Sequence, residues 1–203
     1  MSQTRSDELA RLTGEIARCR VCVETPRGAP LPHEPRPVVW PSATAKICVA
    51  GQAPGTRVHA SGTPFTDPSG DRLRAWMGIE AETFYDRSRI AIVPMGFCFP
   101  GLDAKGGDKP PRKECAATWH PHLFEAMPQL ELILLIGSHA QKYHLGKAVK
   151  PTLTETVAHW RDYRPRFIVL PHPSWRNNAW IRKHPWFEED LLPVLRADVA
   201  SRV

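Results

Sequence analysis

The chain has 203 residues, enough for one sizeable core, and carries 27 Lys and Arg against 21 Asp and Glu for a formal charge of +6. An ordinary apolar fraction of 42% argues against a disordered chain, and no run of about 18 apolar residues marks a membrane-spanning helix. The basic balance fits a polyanionic partner but does not by itself identify one.

The start, MSQTRSDELARL, reads as an amphipathic helix rather than a leader, with the pattern running over 5–18, and a soluble cytoplasmic protein is expected. Cys19 and Cys22 follow as a C-x-x-C pair, and Cys98 and Cys115 come much later. In a reducing compartment such thiols favour metal ligation over disulfides. Four soft thiolates suit an iron–sulfur cluster or a tetrahedral zinc, but neither late cysteine belongs to the second knuckle of a zinc ribbon. Cys48 falls mid-strand and reads as a core residue. From Pro26 to Pro41 the proline-rich segment predicts an extended, ordered connector.

Four continuous apolar runs then predict strands covered on both faces: Lys46–Ala50, Arg89–Val93, Glu131–Ile136 and Arg166–Leu170. Helical patterns lie over 70–78, 111–127, 138–145 and 184–200. The alternation predicts an α/β fold, a three-layer α/β/α sandwich with a central four-stranded parallel sheet. One domain over 1–203 is expected, with 1–45 as a helix and connector carrying the first two cysteines. In such sheets the functional loops gather at the carboxyl ends of the strands.

Two of those loops carry recognisable chemistry. The first strand runs into Gly51-Gln52-Ala53-Pro54-Gly55, with Pro64-Phe65 ten residues on, and the last runs into His172-Pro173-Ser174. Together they resemble the two active-site motifs of the uracil-DNA glycosylase superfamily. The cysteine quartet narrows the resemblance to the iron–sulfur branch, families 4 and 5, which share this placement of cysteines. The segment LELILLIGSHAQKYHLG also looks like the third strand and following helix of that family. The resemblance implies a [4Fe-4S] cluster on Cys19, Cys22, Cys98 and Cys115. It further implies a monomer that acts on uracil-containing or abasic DNA and excises uracil, and monofunctional excision is expected because neither active-site loop contains a lysine to form a Schiff base.

Such chemistry extrudes a base, holds it in a fitted pocket and stabilises the charge it carries away. Gly51 and Ala53, in the tight GQAPG turn, are expected to line that pocket, Phe65 to stack on the base, and His172 to donate a hydrogen bond to its carbonyl. Trp175 and Arg176 are candidates for a wedge in the duplex. Ser174, and Ser69 with the Gly70 backbone at a helix start, are candidates to hold phosphates. Arg72, Arg74, Lys105, Lys109, Arg112, Arg176, Arg182 and Lys183 are expected to supply positive surface.

Two departures from the family stand out. Gln52 stands where family 4 usually has glutamate, and 56–61 contains no acid, which leaves Asp67, Gln52 or His59 as candidates to activate or orient water. Pro94 stands where family 4 commonly has a base-reading asparagine, so recognition is expected from backbone such as Met95–Gly96. Family 5 also lacks that asparagine and is broader, which keeps hypoxanthine and xanthine as alternative bases. A damaged-DNA-binding protein with little turnover is the runner-up class, and a redox protein the third. His120 and His122 are expected to lie solvated near a helix end. The loop 99–111 is expected to be braced by the cluster, away from GQAPG and HPS.

Overall fold

The computed structural model describes residues 2–203, with side chains from residue 5 onward; Met1, the first residue of the predicted amphipathic start, lies outside the described residues. In chain order come α1 (Ser2–Ala17), α2 (Val21–Glu24), β1 (Ile47–Ala50), α3 (Thr56–Ser61), α4 (Pro68–Met77), α5 (Ala81–Tyr85) and β2 (Ile90–Ile92). The second half holds α6 (Lys113–Ala126), β3 (Leu132–Ile136), α7 (Gly137–Leu145), α8 (Leu153–Ala158), β4 (Phe167–Leu170), α9 (Asn178–Lys183) and α10 (Leu192–Ala200).

The strands form one parallel sheet in the order β2-β1-β3-β4, with Ile47 opposite both Ile90 and Leu132, and Ile133 opposite Phe167. All residues of β1, β2 and β3 are buried, as the continuous apolar runs require of strands covered on both faces. Helices do the covering: α6 packs with α1, and α7 meets α6 through His144 and His120, while α10 packs on α4. The chain leaves β1 for β2 on one side, then crosses back over β1 to β3. That reversal opens a crevice beyond the carboxyl ends of β1 and β3.

The connector behaves as its prolines dictate. It runs extended along the outer edge of β2, where Trp40 and Ile92 exchange both backbone hydrogen bonds at 2.8 Å and Val38 N–H donates to the Phe97 carbonyl at 2.7 Å. The edge strand is thereby covered, and Arg87 lies over the Trp40 ring at 4.1 Å.

Two expectations need correction. The predicted helix over 184–200 begins only after Pro185, at Trp186, and contains a π-helical turn over Phe187–Leu191 before α10, while the separate short helix α9 ends at Lys183 just ahead of it. His120 is not solvated but 0% exposed, its Nε2 on the Pro94 carbonyl at 2.9 Å inside an aromatic cluster with Phe97, Phe124 and Tyr143; its neighbour His122 is exposed. Burial pushes the His120 imidazole down to about 4 and that of His144 down to about 3.

This burial makes the fold acid-sensitive. Below the ordinary imidazole pKa the unfolded chain takes up protons that folded His120 refuses until about pH 4. Stability is therefore full above about pH 6.5 and falls as the pH drops, by about 2 kcal/mol at pH 5 from one such histidine. Urea unfolding at pH 7 and pH 5 measures this, and equal stabilities would contradict it.

Candidate active site

The crevice at the strand ends is a cleft of about 790 Å³, walled by the GQAPG loop, Phe65, Pro94, Ile136 and the HPS loop. Its volume lies in the range of pockets that engulf a small organic group. Each wall is positioned by a strand end. The Gly51 and Gln52 carbonyls accept from Met95 N–H at 2.9 Å and Gly96 N–H at 3.0 Å, which carries the β1–β2 pairing into the loop. His172 sits between two prolines past β4, and its carbonyl accepts from Asn177 Nδ2 at 2.7 Å.

Phe65 is held under strain. It has φ of +55°, the left-handed region that a bulky residue enters only when its surroundings insist. Its carbonyl accepts from Tyr85 Oη at 2.9 Å and Arg74 Nη1 at 3.2 Å, and its ring stands edge-on to Phe84 at 5.7 Å. Two glycines make room for it. A side chain on Gly70 would collide with the Phe65 carbonyl, and one on Gly51 would lie 3.4 Å from the tip of the Phe65 ring.

The electrostatics of the cleft centre on His172. Burial pushes its imidazole below the ordinary value, against the opposing pull of Asp67 and Asp108, so the ring is neutral at pH 7. Asp108 was not singled out by the sequence. It belongs to a hairpin over 101–109 in which Leu102 and Asp108 pair antiparallel, Lys109 N–H donates to the Gly101 carbonyl at 2.9 Å and Asp103 N–H to the Gly107 carbonyl at 2.7 Å. The Asp103 carboxylate caps the turn, accepting from Lys105 N–H at 2.8 Å and Gly107 N–H at 2.9 Å.

The hairpin reaches across to the GQAPG loop, and an Asp108 carboxylate oxygen lies 3.2 Å from where a Gly55 side chain would begin. Leu102, Gly106, Gly107, Asp108 and Lys109 all line the cleft. The loop expected to be braced by the cluster is therefore also a wall of the GQAPG and HPS cleft. The readable signal was its length: a long segment after β2 leaves the same sheet edge as the other functional loops.

Of the other residues singled out, Gln52, Ala53, Asp67, Ser69, Ser174, Trp175 and Arg176 also line the cleft. Met95 does not: it is 4% exposed and its N–H, like that of Gly96, is spent on the GQAPG loop. Asp67 caps α4, accepting Gly70 N–H at 3.1 Å, so this N–H is not free for a phosphate. His59 is turned away, its ring 4.3 Å from His33 and 5.7 Å from Phe99, so it is no candidate to activate water.

Two of the expected surface cations are internal. Arg74 grips the Phe65 carbonyl, and Arg112 pairs with buried Glu114 at 3.0 Å. Arg72 ties the Ser174 carbonyl at 3.0 Å and Asn178 Oδ1 at 2.8 Å, fixing the HPS loop. Trp175, 72% exposed, stands at the lip of the cleft.

A second, smaller cavity is lined by Cys19, Cys22, Cys98 and Cys115 together with Ile16, Phe97 and Arg112. All five cysteines are free thiols, and Phe97 N–H points at Cys115 Sγ at 3.3 Å. Burial pushes the thiols of Cys22, Cys98 and Cys115 up, with the neighbouring cysteines adding to the shift. Among the described residues no three or more His, Cys, Asp or Glu side chains stand ready to hold a metal ion. Cys48 is fully buried in β1, its thiol pushed up to about 12.

The Phe65 carbonyl gives a direct check. Gly70→Ala is expected to cost about 1–3 kcal/mol by overpacking, read as a lowered melting temperature. Gly28→Ala, where a side chain meets nothing within 4 Å, is the neutral comparison. Equal melting temperatures for the two variants would remove the case for a strained Phe65.

Among solved structures, a candidate uracil DNA glycosylase from Methanosarcina acetivorans is 18% identical, over 79% of this chain and 94% of that one, with a TM-score of 0.42. Pedobacter heparinus SMUG2 is 14% identical, over 76% of each chain, with a TM-score of 0.41. The family model of the uracil DNA glycosylase superfamily matches residues 39–196, from the connector beside β2 to α10, and takes in both cleft loops. The chain belongs to the uracil DNA glycosylase superfamily.

Proposed function

We propose that the protein is a monofunctional DNA glycosylase that hydrolyses the N-glycosidic bond of uracil in DNA and leaves an abasic site. The observation that carries this reading is the pairing, across one cleft, of a half-buried His172 with a strained Phe65. An extruded base stacks on Phe65 against the side-chain-free surface of Gly51, a contact worth about 1–3 kcal/mol. A His172 N–H donates to the base carbonyl on which negative charge grows as the glycosidic bond breaks. Trp175, exposed at the lip beside Arg176, fills the gap in the duplex. Gln52 orients water, and Asp67 adds negative charge near the sugar. The cleft is complete within one chain, which suits a monomer.

Pro94 supports a second reading. It lines the cleft, lacks an N–H, and has its carbonyl engaged by His120, so that wall carries no side-chain group specific for uracil. Deaminated purines, hypoxanthine and xanthine, are the alternative bases.

We propose that the four cysteines hold a [4Fe-4S] cluster, around which they would draw together: four soft donors line one cavity, and the Phe97 N–H points at the Cys115 sulfur. Bound there, it would serve as a structural brace between the N-terminal segment and α6. Protein purified without air is expected to contain iron and sulfide in equal amounts, and chelation to lower its melting temperature and its affinity for DNA. Absence of both elements from such protein would remove the cluster from the reading.

Excision is tested with a labelled uracil-containing oligonucleotide and alkaline strand cleavage. His172→Ala is expected to lose about 10²–10³-fold in rate with binding to abasic DNA retained. No cleavage at stoichiometric protein, with abasic DNA still bound, would replace the enzyme by a binding protein. Lys109 lines the cleft from the hairpin, so borohydride trapping checks the monofunctional assignment: a covalent protein–DNA adduct would overturn it.

A further inference from the structure

The geometry points to Asp108 as the catalytic carboxylate of this cleft, the group that receives the proton of the attacking water, delivered by the hairpin over 101–109. The inference rests on the glycosylase reading. Three other groups were candidates for this task, and the structure disposes of them unequally. His59 is packed against His33 and Phe99 outside the cleft. Gln52 has no basic group. Asp67 spends one carboxylate oxygen on the Gly70 N–H at the start of α4.

Asp108 carries no such structural duty. What acts on its carboxylate is burial first, then the charges of His172, Arg176, Asp67 and Asp103, with no hydrogen bond among them. It lies against Gly55, the end of the GQAPG turn, and lines the cleft that His172 enters from the other edge strand, β4. As a residue it remains exposed on the hairpin, so water reaches it in the free protein. The hairpin itself is built to hold one shape, through its Leu102–Asp108 bridge and the Asp103 cap.

The step balances without a co-reactant. The bond between the sugar carbon and the base nitrogen breaks, and its electron pair leaves with the base, whose charge His172 stabilises. A water oxygen bonds to the same sugar carbon, and its surplus proton passes to Asp108. Burial and the nearby Asp67 and Asp103 raise the Asp108 carboxyl, against the pull of His172 and Arg176, so the ionised base is lost above the ordinary carboxylate range as pH falls.

The test is single-turnover excision by wild type, Asp108→Asn and Asp108→Glu across pH, alongside binding to abasic DNA. Asp108→Asn is expected to lose about 10²–10⁴-fold in rate, keep its affinity for abasic DNA and lose the acidic limb of the pH profile. Asp108→Glu is expected to restore that limb with part of the rate. An active wild type with an unimpaired Asp108→Asn would overturn this inference and leave the glycosylase reading standing. A rate loss with the acidic limb unchanged would also overturn it. Wild type inactive on uracil, hypoxanthine and xanthine would overturn both.

Discussion

The parallel pairing of β1 with β3 is the constraint on which the cleft depends. Because β2 and β3 lie on opposite sides of β1, the chain must cross back over it, and the loops beyond β1 and β3 diverge. The crevice between them cannot be filled by the crossover helices, which pack on the faces of the sheet. All four strand ends then contribute to one wall set: GQAPG from β1, Pro94 from β2, Ile136 from β3 and His172 from β4. A rigid, fully buried sheet fixes those four points. The loops need only short excursions to bring a ring, a glycine turn and an imidazole together.

Within that frame the balance at His172 is settled by desolvation. Two carboxylates favour its charged form and burial favours the neutral one, and burial prevails. A neutral imidazole donates a hydrogen bond without placing a full charge on the base before the bond breaks. On the proposed function its help would grow as charge develops on the leaving group, which is the condition for lowering a barrier rather than tightening ground-state binding. The same carboxylates suit the other partner, since the sugar becomes cationic as the base becomes anionic. On the proposed function the cleft would separate its charges, with Asp67 and Asp108 toward the sugar and His172 toward the base.

Much of this was legible in the sequence, for identifiable reasons. Ile47–Ala50, Leu132–Ile136 and Phe167–Leu170 announced themselves because a strand covered on both faces must be apolar throughout. The GQAPG and HPS loops were found because each begins where such a run stops. What stayed hidden depends on contacts distant in the chain. Nothing near Phe65 shows its positive φ, which Tyr85, Arg74 and Gly70 impose from outside. His120-Pro121-His122 looked solvated because a histidine's polarity does not reveal that the Pro94 carbonyl waits for one ring nitrogen. Asp108 was missed because an acid beside two glycines reads as an ordinary turn.

The hairpin that carries Asp108 also gives the N-terminal segment a reason to be where it is. Its base is flanked by Cys98 and Cys115 and pinned from the connector, where His33 Nε2 meets the Phe99 carbonyl at 3.0 Å and the rings of His33 and Phe99 stack at 5.5 Å. Pro32 packs on Gly101 closely enough that a side chain there would come within 3.2 Å. The connector is in turn held beside the cysteine cavity, where Leu31 N–H donates to the Cys22 carbonyl at 3.0 Å and Arg112 Nη1 to the Ala29 carbonyl at 2.7 Å. A brace at the four thiols therefore acts on the cleft indirectly, through a short chain of packed contacts ending at the carboxylate beside Gly55. Loosening it would let the hairpin move while the sheet, GQAPG and His172 stayed in place. On that account, damage at the cysteines should weaken water activation while sparing the stacking of a base on Phe65, because the two functions hang from different supports.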